Sequence, residues 1–385
     1  MKDRIYTLRG IDPLLFRDGR PFSRDQGSAN AVSLRLPLPG TIAGFARTQL
    51  GNSAGWNWCE DGPRRALATP VHGPLLLRNN DLVWRAPADG IVYPLDMEDA
   101  KSPKRVMRLR PLQPDEGPVC DLPDGLAPLN VTRDIKPARG YQYWPHEFMR
   151  QWLLDSFTED PTAPEDPGEP AQEERAHTAV DADTGRADEG MLFSTSMICF
   201  EHLPWSKEHR VEWALAARVR EEEDTDIAGP GQLGGENRVG TIQVAAEDSW
   251  PTCPADLQSA LSASPQVRMV LATPALFSCG WRPGWLDDRL EGSPPGAGVR
   301  LKLVSAAVPR REPVSGWDYA ADRPKYLRWM APAGSVYFFE VVSGSAGELA
   351  NRCWLEPVSD DDQDKRDGYG LAMWGVWHRP AKEGK

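Results

Sequence analysis

Proline and glycine interrupt this chain so often that long regular elements are excluded. The 385 residues include 36 prolines and 34 glycines. Proline fixes φ and removes a backbone donor, and glycine weakens the interior of helices and strands, so short elements joined by many loops are expected. Because a chain of this length exceeds what one hydrophobic core usually supports, we expect two domains.

The apolar and β-branched patterns predict strands together with a few helices. Residues 4–16 predict a strand that ends in a turn at Asp18-Gly19. Residues 42–50 predict a helix, with Thr41 as its N-cap and Gly51 as its C-cap. Further predicted elements are a hairpin at 73–86 that turns at Asn79-Asn80, helices at 146–157 and 255–263, and strands at 190–203, 209–219, 239–246, 267–277, 299–308 and 335–343. The mixture predicts an α+β architecture.

The net charge of −12 is unevenly distributed. Residues 158–174 carry seven acids and no base, 221–226 carry five acids, and 360–367 carry five acids and two bases, so the remainder is close to +3. Residues 1–50 hold eight bases against four acids, and 101–110 hold five bases and no acid. This segregation allows a basic surface to attract phosphates. Solvated loops of either sign explain the same pattern equally well.

Composition also bears on location and cofactors. No apolar run approaches the roughly 18 residues of a membrane span, and the first ten residues lack the apolar core of a secretory signal, so a cytoplasmic protein without membrane contact is expected. Six cysteines without a C-x-x-C pair predict reduced thiols, and six histidines lack metal-ligand spacing. The acidic stretch at 360–364 resembles a calcium loop but has Lys365 where glycine is required. We therefore expect no metal and no cofactor.

Two glycine motifs match known sites only in their letters. "GNSAG", residues 51–55, fits the nucleophile elbow, but that elbow needs a strand before its serine, and a helix is predicted there instead. "GPGQLG", residues 229–234, fits the dinucleotide fingerprint, but it follows an acidic loop and leads into a strand. Neither motif predicts a catalytic or nucleotide-binding site.

Three other glycine-bearing segments leave alternatives open. Gly40 and Thr41 begin a predicted helix, where free N–H groups suit either a phosphate or ordinary capping. "GQLGGENR", residues 231–238, is either a plain turn or a flexible backbone beside Arg238. The C-terminal run "DGYGLAMWGVW" contains glycines in a strand, which mark either a bulge or the close approach of another backbone. That backbone could belong to a nucleic acid or to a neighbouring domain.

Taken together and in order, segments of this chain resemble the RAMP superfamily of CRISPR ribonucleoproteins, and within it the third Cmr subunits of type III-B effectors. The segments are "DPLLFRDGRPF", "LPLPGTIAGFAR", "WRAPADG", "RAHTAVDADTGRADEGMLFST", "GGENR", "LATPALFSCGW", "GSVYFFE" and "GYGLAMWGVW". They span most of the chain. Each is weak alone, and the ordered set is specific.

The resemblance implies two ferredoxin-like (RRM-like) domains with extended loops and insertions, which we place at 1–157 and 177–385. The acidic, Pro-rich composition of residues 158–176 predicts a flexible segment between them. It implies a non-catalytic subunit that caps the crRNA 5′ tag beside the large polymerase-domain subunit and the backbone RAMP subunit. RNA would be held by phosphate and 2′-OH contacts and by base stacking. The candidate RNA-binding residues are Arg17, Arg20, Gly40, Thr41, Arg47, Arg175, His177, Gly235, Arg238, Gly368, Gly370 and Gly375.

Alternatives stay open for the role of one hairpin and for the function of the whole protein. Residues 175–190 predict a β-hairpin arm that reaches along the crRNA or onto the backbone subunit, or else an ordinary surface hairpin. The second possible function is that of a RAMP endoribonuclease that processes crRNA. Such an enzyme would need a general acid and a general base, most often histidine. No histidine precedes His72, and His177 has no evident basic partner beyond Arg175. A protein–protein adaptor that uses its 15 tryptophans is the third possibility.

Overall fold

The computed structural model describes residues 2–17, 30–96, 98–99, 101–112, 121–131, 133–202, 210–221, 225–318 and 323–379. Its helices are α1 (Pro39–Ser53), α2 (Gly62–Ala68), α3 (His146–Leu153), α4 (Ala255–Ala263), α5 (Gly347–Arg352) and α6 (Asp362–Arg366). Its strands are β1 (Lys2–Gly10), β2 (Asn30–Val32), β3 (Val71–Arg78), β4 (Asp81–Arg85), β5 (Gly90–Pro94), β6 (Lys104–Arg108), β7 (Tyr143–Pro145), β8 (Ala171–Val180), β9 (Ala187–Cys199), β10 (Glu201–His202), β11 (Val211–Glu221), β12 (Gly229–Gln232), β13 (Val239–Val244), β14 (Gln266–Leu271), β15 (Glu291–Gly292), β16 (Arg300–Ala307), β17 (Glu312–Val314), β18 (Trp317–Asp318), β19 (Arg323–Pro324), β20 (Arg328–Met330), β21 (Val336–Ser343), β22 (Glu356–Pro357) and β23 (Leu371–Val376). Within these ranges, no helix has the length and apolar character needed to cross a membrane.

The chain forms two compact units, and each is assembled from separate segments. Unit 1 consists of Met1–Asn80, Pro170–Ser249 and Pro313–Trp329. Unit 2 consists of Asp81–Glu169, Trp250–Glu312 and Met330–Lys385. The predicted boundaries at 157 and 176 assume that one domain follows the other along the chain. The observed units interleave instead, which a linear reading of composition cannot reveal.

Unit 1 is built on an antiparallel sheet with the strand order β12-β13-β1-β11-β3. The central strand β1 buries Tyr6 and Leu8 completely. Helix α1 packs against β3 and buries Ile42, Phe45 and Leu50. Of the four long strands β1, β3, β11 and β13, the first in sequence lies between the third and the fourth.

Unit 2 contains a second antiparallel sheet, with the order β15-β16-β21-β14-β23-β22. Strands β14, β21 and β23 form its buried centre, and the side chains of Phe338, Phe339 and Trp374 have no exposed surface. Helix α4 packs against β23 and α5. The first long strand again lies between the third and fourth. The predicted α+β architecture is thus confirmed as mostly antiparallel sheets with few helices.

Most predicted elements are present. The strand patterns in the second half correspond to β9, β11, β13, β14, β16 and β21, and the helix at 255–263 is α4 with the predicted bounds. Asn79 and Asn80 both have positive φ (51° and 71°), as expected for the tight turn between β3 and β4. The segment 229–234 forms β12 and a turn, so it cannot act as a dinucleotide fingerprint.

Helix α1 differs from its prediction at both ends. It begins at Pro39 rather than Ile42, because proline suits the first helical position and Leu38 acts as the N-cap. Thr41 therefore lies in the first turn. Gly51 is not a C-cap but a helical residue, and a Cβ there would lie within 3 Å of the rings of Trp56 and Trp58. Tertiary packing, rather than termination, explains this glycine.

The first strand is shorter than predicted. β1 ends at Gly10, and the chain turns because the N–H groups of Ile11 and Asp12 both donate to the carbonyl of Val239, at 3.0 and 3.3 Å. The apolar triplet that begins at Leu14 lies beyond this turn, outside the strand. The predicted turn at Asp18-Gly19 lies outside the described residues.

Two acidic segments are more ordered than their composition predicts. Segment 158–176 was predicted to be flexible, yet Ala163 donates its N–H to Lys104 of β6 at 2.9 Å, Asp160 accepts from the Tyr93 hydroxyl at 2.9 Å, and Pro167 is buried. Residues 360–367, expected to form a solvated loop, include α6, because the Asp361 carboxylate caps its first turn.

Candidate nucleic-acid interface

The loop after β1 is anchored on both sides before it reaches Arg17. Leu14 exchanges two backbone hydrogen bonds with Ile198 of β9, each 2.8 Å long. The Phe16 carbonyl accepts from the N–H of Leu34 at 2.7 Å. The side chains of Leu14 and Phe16 are at most 4% exposed, whereas Arg17 is exposed. Buried apolar anchors therefore fix where an arginine side chain meets solvent.

A glycine turn packs on the same loop. The Leu15 carbonyl accepts from the N–H of Gly235 at 2.8 Å. Gly234 has φ +86°, and a Cβ at this position would lie 2.6 Å from that carbonyl oxygen. Glu236 and Asn237 continue the turn with φ values of 58° and 52°. Gly235 was predicted as an RNA-binding residue, and the backbone constraint in this turn lies at its neighbour Gly234.

The neighbouring glycines provide a matched test of this packing. We expect Gly234→Ala to destabilise the protein by about 1–3 kcal/mol, because a side chain there is strained and meets backbone. Gly235→Ala should have little effect, since its Cβ would make only ordinary contacts with Leu15, at 3.6 Å or more. Urea denaturation followed by tryptophan fluorescence measures both. Equal losses in the two variants would contradict the assignment.

Arg238 closes the turn. Its carbonyl accepts from the N–H of Leu233 at 2.8 Å, and its own N–H donates to Gly235 at 3.3 Å. The side chain is half-buried, and its Nε makes no hydrogen bond within the described part of the chain. Arg238 therefore belongs to the turn that packs on the loop leading to Arg17.

The predicted β-hairpin is present as β8 and β9, with β2 beside β9, and its role as an arm stays a prediction. In β8, Arg175 lies opposite Thr195, and His177 lies opposite Phe193. The His177 Nε2 is 2.9 Å from the Thr195 hydroxyl, and its ring stacks on Phe193 with centroids 4.9 Å apart and planes at 13°. This half-exposed pair of parallel rings is a surface on which a base can stack.

Carboxylates partly neutralise the positive charge of the hairpin. Arg175 forms an ion pair with Glu173, and the hydrogen bond in this pair raises the pKa of Arg175. The charge of Asp12, in the loop after β1, also raises the pKa of Arg175. A phosphate that binds Arg175 must therefore compete with Glu173 for the guanidinium.

The α1 candidates have structural roles in unit 1. Arg47 is 5% exposed, and its Nε donates to the Thr69 carbonyl at 2.9 Å, which braces the helix against the segment before β3. Gly40 and Thr41 are half-buried, and the Thr41 N–H already donates to Leu38 at 2.9 Å. RNA binding by these three residues stays a prediction, without support from these contacts.

The C-terminal glycines of unit 2 are buried. A Cβ at Gly375 would lie 2.5 Å from the Leu153 carbonyl, so the approaching backbone is the end of α3. Gly370 has φ +82°, and its Cβ would lie 2.7 Å from the Ser359 hydroxyl. Gly368 is buried with φ +86°. Protein packing therefore accounts for this glycine pattern, and contact with RNA stays a prediction for all three.

Unit 1 thus brings together part of the predicted set. The turn that contains Gly235 and Arg238 packs on the loop after β1, which leads to Arg17, and β9 connects this loop to Arg175 and His177 on the hairpin. Arg20 lies outside the described residues. Over the ranges that the structure describes, no three His, Cys, Asp or Glu side chains are grouped as metal ligands.

Comparison with known proteins adds a family to this geometry. The profile of the family described as "CRISPR-associated protein (Cas_Cmr3)" matches residues 6–377. A search of curated protein sequences finds no match. A chain in a cryo-EM structure of the type III-B Cmr-beta complex bound to cognate target RNA is 14% identical with a TM-score of 0.48, and covers 87% of this chain and 86% of its own. In a second such structure, with AMPPnP in state 1, the identity is 13%, the TM-score is 0.45 and the coverage is the same.

Proposed function

Since the chain belongs to the Cas_Cmr3 family of CRISPR-associated proteins, we propose that it is a crRNA-binding, non-catalytic subunit of a type III-B Cmr effector complex. Its role is to cap the 5′ tag of the crRNA. The anchored loop of unit 1 carries this proposal, because it places an exposed Arg17 beside the Arg238 turn and connects both to the base of the β8–β9 hairpin.

This arrangement fits a single-stranded 5′ end. Flexible single strands are bound by cations that contact phosphates and by rings on which bases stack. Arg17, Arg175 and Arg238 supply the cations, and the stacked rings of His177 and Phe193 supply a platform. The hairpin that carries this platform is proposed to contact either the RNA or the backbone RAMP subunit. The large polymerase-domain subunit is the proposed neighbour on the tag side.

Both units fit a ferredoxin-like ancestry. That fold runs βαββαβ, and its antiparallel sheet places the first strand between the third and the fourth. Unit 1 follows this order with β1, β3, β11 and β13, and α1 occupies the first crossover. Unit 2 follows it with β14, β16, β21 and β23, and α5 lies in the second crossover. We propose two ferredoxin-like domains, each with one crossover helix replaced by loops and short strands.

The surroundings of His72 and His177 favour binding over cleavage. His72 is 5% exposed, and burial followed by the charges of Arg218 and Arg220 lowers its pKa to about 3. It is therefore neutral at physiological pH and cannot supply a proton to RNA. His177 is accessible, but its neighbours are the Thr195 hydroxyl and the Phe193 ring rather than a second acid or base.

Binding of tagged RNA tests the proposal. The full-length chain is titrated with labelled RNA that carries the 5′ tag and with the same RNA lacking the tag. Tighter binding of the tagged RNA is expected, and equal affinity would contradict tag capping. Incubation with repeat RNA in EDTA tests the enzyme alternative. Specific cleavage that disappears in His177→Ala would overturn the non-catalytic role.

The proposed phosphate contacts of Arg17 and Arg175 predict how RNA affinity depends on salt. In the double variant Arg17→Ala/Arg175→Ala, the affinity for tagged RNA should fall, and the slope of log K against log salt should decrease by about 1.4, because each phosphate contact to a single strand contributes about 0.7. The exposed Arg139 of unit 2 supplies the control Arg139→Ala. An unchanged slope in the double variant would contradict phosphate contacts at the anchored loop and hairpin.

A further inference from the structure

A short stretch of unit 1, "RPKYLRW" at Arg323–Trp329, is exposed at every residue. It contains three cations and no acid, although the whole chain has a net charge of −12. Between the cations lie large apolar groups with high exposure: Tyr326 at 85%, Leu327 at 54% and Trp329 at 41%. We name this stretch the basic aromatic segment.

The backbone of the segment is held while its side chains remain at the surface. Arg323 and Pro324 form β19, which pairs with β18 in an antiparallel ladder. The Lys325 N–H donates to Gly316 at 2.8 Å, and the Lys325 carbonyl accepts from the Ser315 hydroxyl at 2.9 Å. These bonds restrict the conformations of the segment before any ligand arrives, which lowers the entropic cost of binding.

Neighbouring apolar side chains in this segment are exposed together. Here Tyr326 and Leu327 are adjacent, and both are more than half exposed. The fold of unit 1 therefore covers neither side chain. Clustered exposed apolar surface of this kind marks an interaction site in soluble proteins.

We propose that the basic aromatic segment is a second RNA-binding surface, separate from the anchored loop, that takes single-stranded RNA with little sequence preference. Aromatic rings stack on any base, and nearby cations contact phosphates whatever the sequence. Tyr326 lies between Lys325 and Arg328 along the chain, so one strand of RNA can meet rings and charges in turn. The 85% exposure of the Tyr326 ring between two cations favours a stacked base over a purely electrostatic contact with an acidic protein surface.

The RNA can come from two sources with the same chemistry. Both the crRNA and a target strand present phosphates and unpaired bases. This proposal rests on the proposed function in one respect, namely that the complex contains RNA. The segment itself shares no residue with the anchored loop or the β8–β9 hairpin.

The first test uses the full-length chain and a labelled single-stranded oligouridine. In Tyr326→Ala, the dissociation constant should rise about 5- to 150-fold, the range that the loss of one stacked base implies. Tyr326→Phe keeps the ring and should bind like the parent protein. In Arg323→Ala/Lys325→Ala, the salt slope should decrease by about 1.4. The control is Lys136→Ala/Arg139→Ala, which removes two exposed cations from unit 2.

The second test uses the assembled complex, with 4-thiouridine in either the crRNA or the target RNA. A crosslink to the basic aromatic segment supports the proposal and identifies the strand. The proposal is overturned if its variants bind oligouridine as tightly as the control, or if they keep RNA but lose a neighbouring subunit, which would indicate a protein-docking surface. Arg17 and Arg175 variants are measured on tagged RNA in parallel, so failure of one site is distinguishable from failure of the other.

Discussion

Replacing Asp89 by alanine is expected to lower the free energy of unfolding by about 3–5 kcal/mol, the usual consequence of leaving one member of a buried ion pair without its partner. The Asp89 side chain has no exposed surface, and its carboxylate accepts from Arg268 at 2.6 Å and from the Trp152 indole at 2.9 Å. Complete burial raises the pKa of Asp89, and the charge of Arg268 opposes this shift.

The loss of stability should arise because Arg268 loses its ion-pair partner. Its side chain is 3% exposed, and its Nε and Nη2 make no hydrogen bond within the described residues, so the bond to Asp89 is a major part of its compensation. The guanidinium lies 5.6 Å from the Trp152 ring, which offers a weaker cation–π contact. Urea denaturation followed by tryptophan fluorescence measures the effect.

An exposed ion pair provides the control. Asp362 and Lys365 are 2.7 Å apart, but the Asp362 side chain is 76% exposed, so Asp362→Ala should cost no more than about 1 kcal/mol. The double variant Asp89→Leu/Arg268→Met should recover much of the loss, because apolar groups can replace a buried ion pair at little cost. An Asp89→Ala effect as small as that of Asp362→Ala would contradict the argument.

Sequence patterns predicted the strands of the two sheets well, because their side chains are buried in a regular way. In β21 the run from Val336 to Phe339 is wholly buried, and such continuous apolar runs are strong signals. The ends of elements were less predictable. Gly51 looked like a helix terminus, but it is a helical residue that makes room for two tryptophans. Such contacts join residues whose proximity only the folded chain defines.

The candidate site shows the same limit at the level of single residues. A glycine pattern shows that some atom lies close to the backbone but does not identify it. At Gly375 that atom is the Leu153 carbonyl rather than an RNA group. Arg47 has the charge to bind phosphate, but it is buried against Thr69. Arg17 is exposed because Leu14 and Phe16 anchor the loop, and the sequence indicated that change from apolar to charged residues.

The basic aromatic segment is a candidate surface that sequence patterns did not indicate. Its three cations and its aromatic residues are visible in the sequence, but no long apolar or alternating run draws attention to them. Burial decides their meaning, because an aromatic residue is more often part of a core than of a binding surface. The 85% exposure of Tyr326 is the fact that separates the two cases.

The second large effect concerns the pH dependence of stability in unit 1 and arises at His72. The ring is buried, and the Arg218 Nη2 lies 2.6 Å from its Nδ1, so this nitrogen must be the unprotonated acceptor. Burial is the main cause that lowers its pKa to about 3, and Arg218, Arg220 and Arg47 act in the same direction. Asp3 opposes them.

The sign follows from linkage. An unfolded histidine titrates near pH 6.5, so between pH 6.5 and about 3 the unfolded chain binds a proton at His72 that the folded chain does not. This contribution to stability is complete above pH 6.5 and falls by about 1.4 kcal/mol for each unit of pH below it. Because the shift spans several units, the total reaches ~5 kcal/mol.

The variant His72→Gln isolates this contribution, since glutamine can still accept from Arg218 but does not titrate. The unfolding free energy is measured by urea denaturation of both proteins between pH 8 and pH 4.5. Above pH 7 their difference should be constant, and below pH 6.5 the parent protein should lose stability faster, by up to 1.4 kcal/mol per pH unit. Because carboxylates titrate in both proteins, their effects cancel in the difference. Parallel curves over the whole range would show that His72 takes up a proton in the folded state as readily as in the unfolded chain.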